Sequence, residues 1–122
     1  MLQSNLNDKI DFSKLLDRLN GDNELLSNTI RISLLYFPTH LNNLKEAINK
    51  MLPKEIEISA HTIKGSLSLY SLEYLVDMAL EIEIKGRKNQ LEGITDIFEK
   101  FELEFSHFMD ELNKYYLIIK AA

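Results

Sequence analysis

The sequence contains no cysteine, only four glycines and two prolines, and no long apolar run in its 122 residues. Without cysteine the chain has no disulfide, no zinc-thiolate site and no thiol nucleophile, a composition that suits a cytosolic protein. No stretch approaches the roughly 18 apolar residues of a membrane span, and the N-terminal MLQSNLNDKIDF lacks the apolar core of a secretion signal. We therefore expect a cytoplasmic chain without membrane insertion, or a domain of a membrane-tethered protein.

Cationic residues are also scarce relative to acidic ones. The 14 lysines and arginines against 19 acids give a formal net charge of −5. Nucleic-acid binding rests on clustered cations that neutralise phosphates, so we expect no nucleic-acid partner. The length suits one domain, and 45% hydrophobic with 27% charged residues indicates a globular one. We predict a single domain over residues 1–122, with a core at roughly 12–120.

The few helix breakers and the absence of strand-like alternation predict an all-α fold. The segment Asn20-Gly21-Asp22-Asn23 separates a short first helix, about 12–19, from the rest. Pro38 interrupts a long apolar stripe and predicts either one kinked helix or two nearly collinear ones. Pro53 suits the first turn of a further helix. Ser71 is predicted to cap the next helix, and Gly86 to lie just past its end.

Two apolar stripes carry the expected packing. In each, apolar residues recur every three or four positions, the spacing of one buried helical face. The first consists of Leu26, Ile30, Leu34, Phe37, Leu41, Leu44, Ile48 and Met51, and the last of Leu91, Ile94, Phe98, Phe101, Phe105, Phe108, Leu112, Tyr115 and Ile119. Four long amphipathic helices with short links predict an up-down antiparallel four-helix bundle, with the short N-terminal helix as a lid. A coiled coil is the alternative for the last stripe.

Residues 60–66 read AHTIKGS and place a histidine and a glycine in mid-helix. Helical periodicity puts His61, Lys64, Gly65 and Ser68 on one face. The opposite, core-facing side consists of Ile56, Ile63, Leu67 and Tyr70. A glycine inside a helix costs roughly 1 kcal/mol relative to alanine, so Gly65 calls for an explanation.

Close approach of another protein explains this face better than flexibility does. Gly65 removes a side chain one turn beyond His61, which gives a partner access to the imidazole. Lys64 supplies a cation beside the ring. An imidazole nitrogen is a nucleophile near neutral pH, and an arriving phosphoryl group is anionic, so the face suits transient phosphorylation of His61 by a docked partner. The predicted partner-binding residues are Glu57, Ile58, Gly65, Ser68 and Leu69.

At these residues the sequence resembles the histidine-containing phosphotransfer (HPt) domains of bacterial two-component phosphorelays. Their pattern is Ala-His-x-(Leu/Ile)-Lys-Gly-(Ser/Ala), and residues 60–66 fill every place. The resemblance extends over roughly residues 12–120. It departs at Ser71, where the family usually has glycine; serine is small and can cap a helix, so we read no loss of function into it.

The resemblance implies a covalent phosphoryl carrier. His61 would receive the group from a receiver-domain aspartate, or from a cognate histidine kinase relay, and pass it to a response regulator. The implied partners are receiver domains and a sensor or hybrid histidine kinase, with Mg²⁺ on the receiver alone and no cofactor or metal of the chain's own. Glu83, 22 residues after the histidine, stands where the family often has a Glu or Gln that hydrogen-bonds the imidazole. Taken alone, Glu83 also has an interpretation as a solvated charge.

Three other functional interpretations can be compared with the sequence. Glu104-x-x-His107 has the spacing of a di-iron ligand unit, but a second such pair is missing. A kinase needs a phosphate-binding loop, which four scattered glycines do not supply, so we expect no ATP site and no kinase activity. The main alternative is a helical module that docks receiver domains without phosphotransfer. A closed bundle with one exposed active patch favours a monomer.

Overall fold

A computed structural model describes residues 10–121, and within that range the chain forms five helices and no strand. The helices are α1 (Phe12–Arg18), α2 (Asn23–Asn49), α3 (Pro53–Ser68), α4 (Glu73–Arg87) and α5 (Ile94–Ala121). The last four pack in a ring, each consecutive pair in contact and α5 closing against α2. Because the links are short, neighbouring helices run in opposite directions, and the predicted up-down four-helix bundle is confirmed. The domain predicted over 1–122 extends outside the described residues at both ends.

The short helix α1 covers one end of the bundle, as a lid would. The ring of Phe12 stacks on Tyr115 with 3.5 Å between centroids. Arg18 Nη1 donates to the carbonyls of Ser68 and Leu69 at 3.2 and 3.0 Å. These carbonyls lie at the C-terminal end of α3, where the helix supplies few donors, so Arg18 caps α3 while it attaches α1 to the bundle.

The predicted apolar stripes form the core. The apolar face of α5 packs against helices of the same chain, so the alternative of a coiled coil is not observed. The α2 side is Leu26, Ile30, Phe37, Leu44, Ala47 and Ile48, and the α5 side is Ile94, Phe98, Phe101, Phe105, Phe108 and Leu112. At the centre, the ring of Phe37 lies 5.3 and 5.5 Å from those of Phe105 and Phe108 at near-perpendicular angles. Such pairs add about 0.5–1.5 kcal/mol each beyond area burial. Met51 is an exception to its stripe: it follows α2 with φ 52° and is half exposed.

Pro38 lies inside α2, which runs as one helix from Asn23 to Asn49. Of the two predicted arrangements, the single helix is therefore the observed one. A mid-helix proline costs about 3 kcal/mol or more in isolation. Six buried apolar residues of α2 hold the helix across that break, including Phe37 immediately before it.

Two predictions about α4 are wrong. Ser71 is not its N-cap: α4 begins at Glu73 after Leu72, and Ser71 has φ 61°, in the left-handed region that favours glycine. Gly86 is not past its end but buried inside it. A Cβ on Gly86 would lie 2.8 Å from Glu57 N and 2.9 Å from Pro53 O, so glycine lets α4 pack directly on the first turn of α3.

None of the helices formed by residues 10–121 is long and apolar enough to cross a membrane.

Candidate functional site

Helix α3 presents His61 and Gly65 to the outside, as the periodicity predicts. Its buried face consists of Ile56, Ala60, Ile63 and Leu67. The His61 side chain is 68% exposed. A Cβ added to Gly65 would meet nothing within 4 Å, so the surface beyond His61 is open. The histidine is therefore accessible to another protein.

Glu83 reaches this histidine from α4. Its side chain is buried, at 4% exposure, and Oε2 lies 3.1 Å from His61 Nδ1. A carboxylate accepts, so Nδ1–H is the donor, and the second ring nitrogen, Nε2, then carries the free lone pair. The structure thus brings together the two residues that the sequence pairs at a spacing of 22, and it gives Glu83 a position unlike that of a solvated surface charge.

Lys64 also contacts Glu83 and does not stand free beside the ring. Its Nζ lies 2.7 Å from Glu83 Oε1, and its side chain is only 22% exposed. The carboxylate therefore has one oxygen on the histidine and the other on the lysine. In the unphosphorylated chain Lys64 therefore neutralises the buried charge of Glu83. Its spacing from His61 in the sequence did not predict this contact.

The pKa of Glu83 reflects two opposing effects. Burial favours the neutral acid and on its own would raise the pKa. The hydrogen bonds and positive charges supplied by Lys64 and His61 outweigh burial, so the pKa of Glu83 lies below its ordinary value. Glu83 is therefore an anion at neutral pH, able to hold the Nδ1 proton of His61.

Arg87 is a site residue that sequence reasoning missed. Its Nη2 donates to Glu83 Oε2 at 2.8 Å, and its Nε donates to Glu57 Oε2 at 3.1 Å. Lys54 Nζ lies 3.6 Å from the other oxygen of Glu57. The signal was present in the sequence, because Glu83 and Arg87 are four residues apart on one helix, where opposite charges pair.

The predicted partner-binding residues fall into three groups. Ile58 is 54% exposed and, with Gly65, lies on an open surface. Glu57 is engaged within the chain by Arg87 and Lys54. Ser68 and Leu69 lie at the end of α3, where their carbonyls accept from Arg18 and Leu69 packs partly against the core. Arg87 thus links Glu57 to the histidine site, whereas Ser68 and Leu69 contact Arg18 of α1.

The second histidine-glutamate pair has a different setting. His107 Nδ1 lies 4.0 Å from Glu104 Oε1, which is too long for a hydrogen bond, and Glu104 Oε1 accepts instead from the Tyr74 hydroxyl at 3.3 Å. Over residues 10–121 no group of three or more His, Asp or Glu side chains is placed to hold a metal ion. His107 is also exposed, at 58%, and so provides a comparison for His61.

Comparison with known proteins agrees with this geometry. The family model of the Hpt domain matches residues 31–115, a range that contains His61, Lys64, Glu83 and Arg87. The chain belongs to the Hpt domain family. Members of this family are phosphocarriers that work with kinases and response regulators and are not themselves kinases, so membership supports a phosphocarrier role in a phosphorelay.

A solved structure shows the same Hpt fold. Histidine-containing phosphotransfer protein B (HptB) from Pseudomonas aeruginosa PAO1 superposes with a TM-score of 0.81, covering 91% of this chain and 96% of that chain. The two sequences are 18% identical, so the likeness is one of fold. No curated protein sequence matches the chain.

Proposed function

We propose that this Hpt domain carries a phosphoryl group on Nε2 of His61, between the aspartate of one receiver domain, or a cognate histidine kinase relay, and that of a response regulator. The observation that carries the proposal is the contact of His61 Nδ1 with the buried carboxylate of Glu83, at 3.1 Å, on an otherwise exposed ring. This contact holds the proton on Nδ1 and leaves Nε2 nucleophilic and accessible.

The transfer step follows from that tautomer. The Nε2 lone pair attacks phosphorus, the P–Nε2 bond forms, and the bond from phosphorus to the aspartyl oxygen breaks with its electron pair returning to the carboxylate. The ring becomes positively charged as it is phosphorylated, and Glu83, beside Nδ1, stabilises that charge. The reverse step returns the group to a second aspartate. The receiver supplies Mg²⁺, and the carrier needs neither ATP nor a cofactor of its own.

The open surface around Gly65 suits docking of a receiver. An aspartyl phosphate lies within its own domain, so two protein surfaces must approach closely for Nε2 to reach phosphorus. Gly65 adds no side chain at this point, and Ile58 contributes exposed apolar area. We propose that the chain docks as a monomer in the cytoplasm, free or as a domain of a membrane-tethered hybrid kinase.

A direct test mixes the chain with receiver domains of the same organism, each phosphorylated with ³²P-labelled acetyl phosphate in Mg²⁺. The expected result is acid-labile label on the wild-type chain and none on His61→Gln. His107→Gln is the matched control and should label normally, because it removes a histidine of similar exposure that lacks the contact with a buried carboxylate.

The same experiment separates the carrier from the docking module. Receiver binding without label on the wild-type chain supports a docking module that exchanges no phosphate. Label that persists in His61→Gln assigns the phosphoryl group to another residue and contradicts the proposal.

A further inference from the structure

Glu83 has more positive charge around it than one carboxylate needs. Lys64 lies 2.7 Å from Oε1, and Arg87 lies 2.8 Å from Oε2, the oxygen that also accepts from His61. A buried carboxylate is costly without a cation, but one close cation satisfies most of that requirement. The second cation therefore calls for a separate reason.

The two cations differ in how they are held. Arg87 is anchored on α4 by a second carboxylate, since its Nε donates to Glu57 at 3.1 Å. Lys64 forms an ion pair with Glu83 alone among residues 10–121. It also lies three residues from His61 on the same helix, where its flexible side chain can turn toward a group on the ring. Lys64 is thus the cation that can leave, and Arg87 the one that stays.

We propose that Arg87, anchored by Glu57, is a positioning residue that keeps Glu83 neutralised while Lys64 turns to the phosphoryl group on His61. The inference rests on the proposed function. Without Arg87, departure of Lys64 before the P–Nε2 bond forms would leave the buried carboxylate with only a neutral imidazole beside it, so Lys64 would remain on Glu83 as the phosphoryl group arrives. The incoming phosphoryl group would then lose the charge that stabilises its transfer.

The test uses phosphoramidate as a small donor, so that no partner protein is needed. Ammonia leaves as the P–Nε2 bond forms, and ³¹P NMR follows the rate of loading. Arg87→Gln is expected to load about two to five times more slowly, the range of one partly exposed charge interaction. Lys88→Gln removes the same charge one residue later, from an exposed side chain that has no carboxylate partner among residues 10–121, and should load as the wild type does.

Two double variants test whether Arg87 acts through Glu83 and Lys64 or only through its own positive charge. Lys64→Gln with Arg87→Gln should load no more slowly than Lys64→Gln alone, because each change prevents Lys64 from turning to the phosphoryl group. In a Glu83→Gln background, Arg87→Gln should have no further effect, because a neutral amide does not retain Lys64. On phosphorylation of the wild type, the Lys64 ammonium resonances should shift while the Arg87 Nε–H signal stays protected from exchange.

Several outcomes overturn the inference. Arg87→Gln could load like Lys88→Gln, its effect could multiply with that of Lys64→Gln, or it could slow loading equally in the Glu83→Gln background. The first outcome shows that loading does not need Arg87, and the other two show that Arg87 acts independently of Lys64 and Glu83. Failure of the proposed function looks different, because phosphorylated receivers would then bind the wild type without placing label on His61, whatever the rate of loading from phosphoramidate.

Discussion

Gly65 and Gly86 are both glycines inside helices, on facing members of the α3–α4 pair, and their surroundings are opposite. At Gly86 a Cβ would lie 2.8 and 2.9 Å from backbone atoms of α3, which cannot move aside without shifting the helix. At Gly65 a Cβ would meet nothing within 4 Å. One glycine is required by the packing of the chain, and the other is not.

The difference shows how a structure separates folding from function. Each glycine costs its helix roughly 1 kcal/mol relative to alanine. Gly86 offsets that cost by letting two helices pack in direct contact, whereas Gly65 gives the fold nothing in return. We therefore propose that the reason for Gly65 lies outside the chain, in the approach of a receiver to the exposed His61 one turn away.

Gly86→Ala should have the largest effect on stability. The added methyl group overlaps Glu57 N and Pro53 O, and an overpacked contact of this kind costs about 1–3 kcal/mol, more than the gain in helix propensity returns. Urea unfolding followed by circular dichroism measures the change. A variant as stable as the wild type would show that α4 can move away from α3, and that helix packing does not require glycine at residue 86.

Gly65→Gln should leave the fold intact and slow phosphotransfer from a receiver about tenfold, equivalent to ~1.4 kcal/mol. The long side chain would occupy the space through which the partner approaches His61, while the chain leaves room for its Cβ. Quenched time courses of phosphotransfer from a labelled receiver measure the rate. Gly65→Ala is the control, because its side chain is intermediate in size. Equal rates for all three chains would mean that close approach at residue 65 is not needed.

Acidification should destabilise the chain partly through Glu83, which lies on α4 three residues before Gly86. Its pKa in the folded chain lies below the ordinary value of 4.5, so its contribution to folding is complete above pH 4.5 and is lost as the pH falls through that lowered value. Unfolding free energy measured from pH 6 downward should fall less steeply in Glu83→Gln than in the wild type. The control is Glu92→Gln, which removes an exposed carboxylate that forms no ion pair within the described part of the chain, and it should keep the wild-type slope.

Gly65→Ala should have the smallest effect, and in the opposite direction to Gly86→Ala. Alanine gains helix propensity at an open position, so the free energy of unfolding should rise by about 0.5–1 kcal/mol. The same urea titrations measure it. A loss of stability would indicate a contact at residue 65 that the open surface does not show.

Local periodicity was enough to predict the bundle and the outward face of AHTIKGS, because which side of a helix is buried follows from the spacing of residues such as Ile56 and Ile63. The errors lie where two helices meet. Gly86 looked like a helix end because its contact with Pro53 is distant in sequence. Ser71 looked like an N-cap because its residue type favours one, although its backbone is left-handed.

The site shows the same division. The motif identified His61, and the family spacing identified Glu83. The buried attachment of Lys64 and the bridge from Arg87 to Glu57 depend on the approach of α4 to α3, which no local pattern contains. Arg87 was nevertheless within reach of sequence reasoning, because an arginine four residues after a glutamate is a recognisable helical ion pair.

In the proposed mechanism, Glu83 holds the Nδ1 proton and directs the phosphoryl group to Nε2 of His61. This can be measured by phosphorylating a ¹⁵N-histidine-labelled chain and correlating the ring nitrogens with phosphorus by NMR. We expect a phosphorus-coupled Nε2 and a protonated Nδ1 on His61. Phosphorus on Nδ1, or on a residue other than His61, would show that Glu83 does not direct the group in this way.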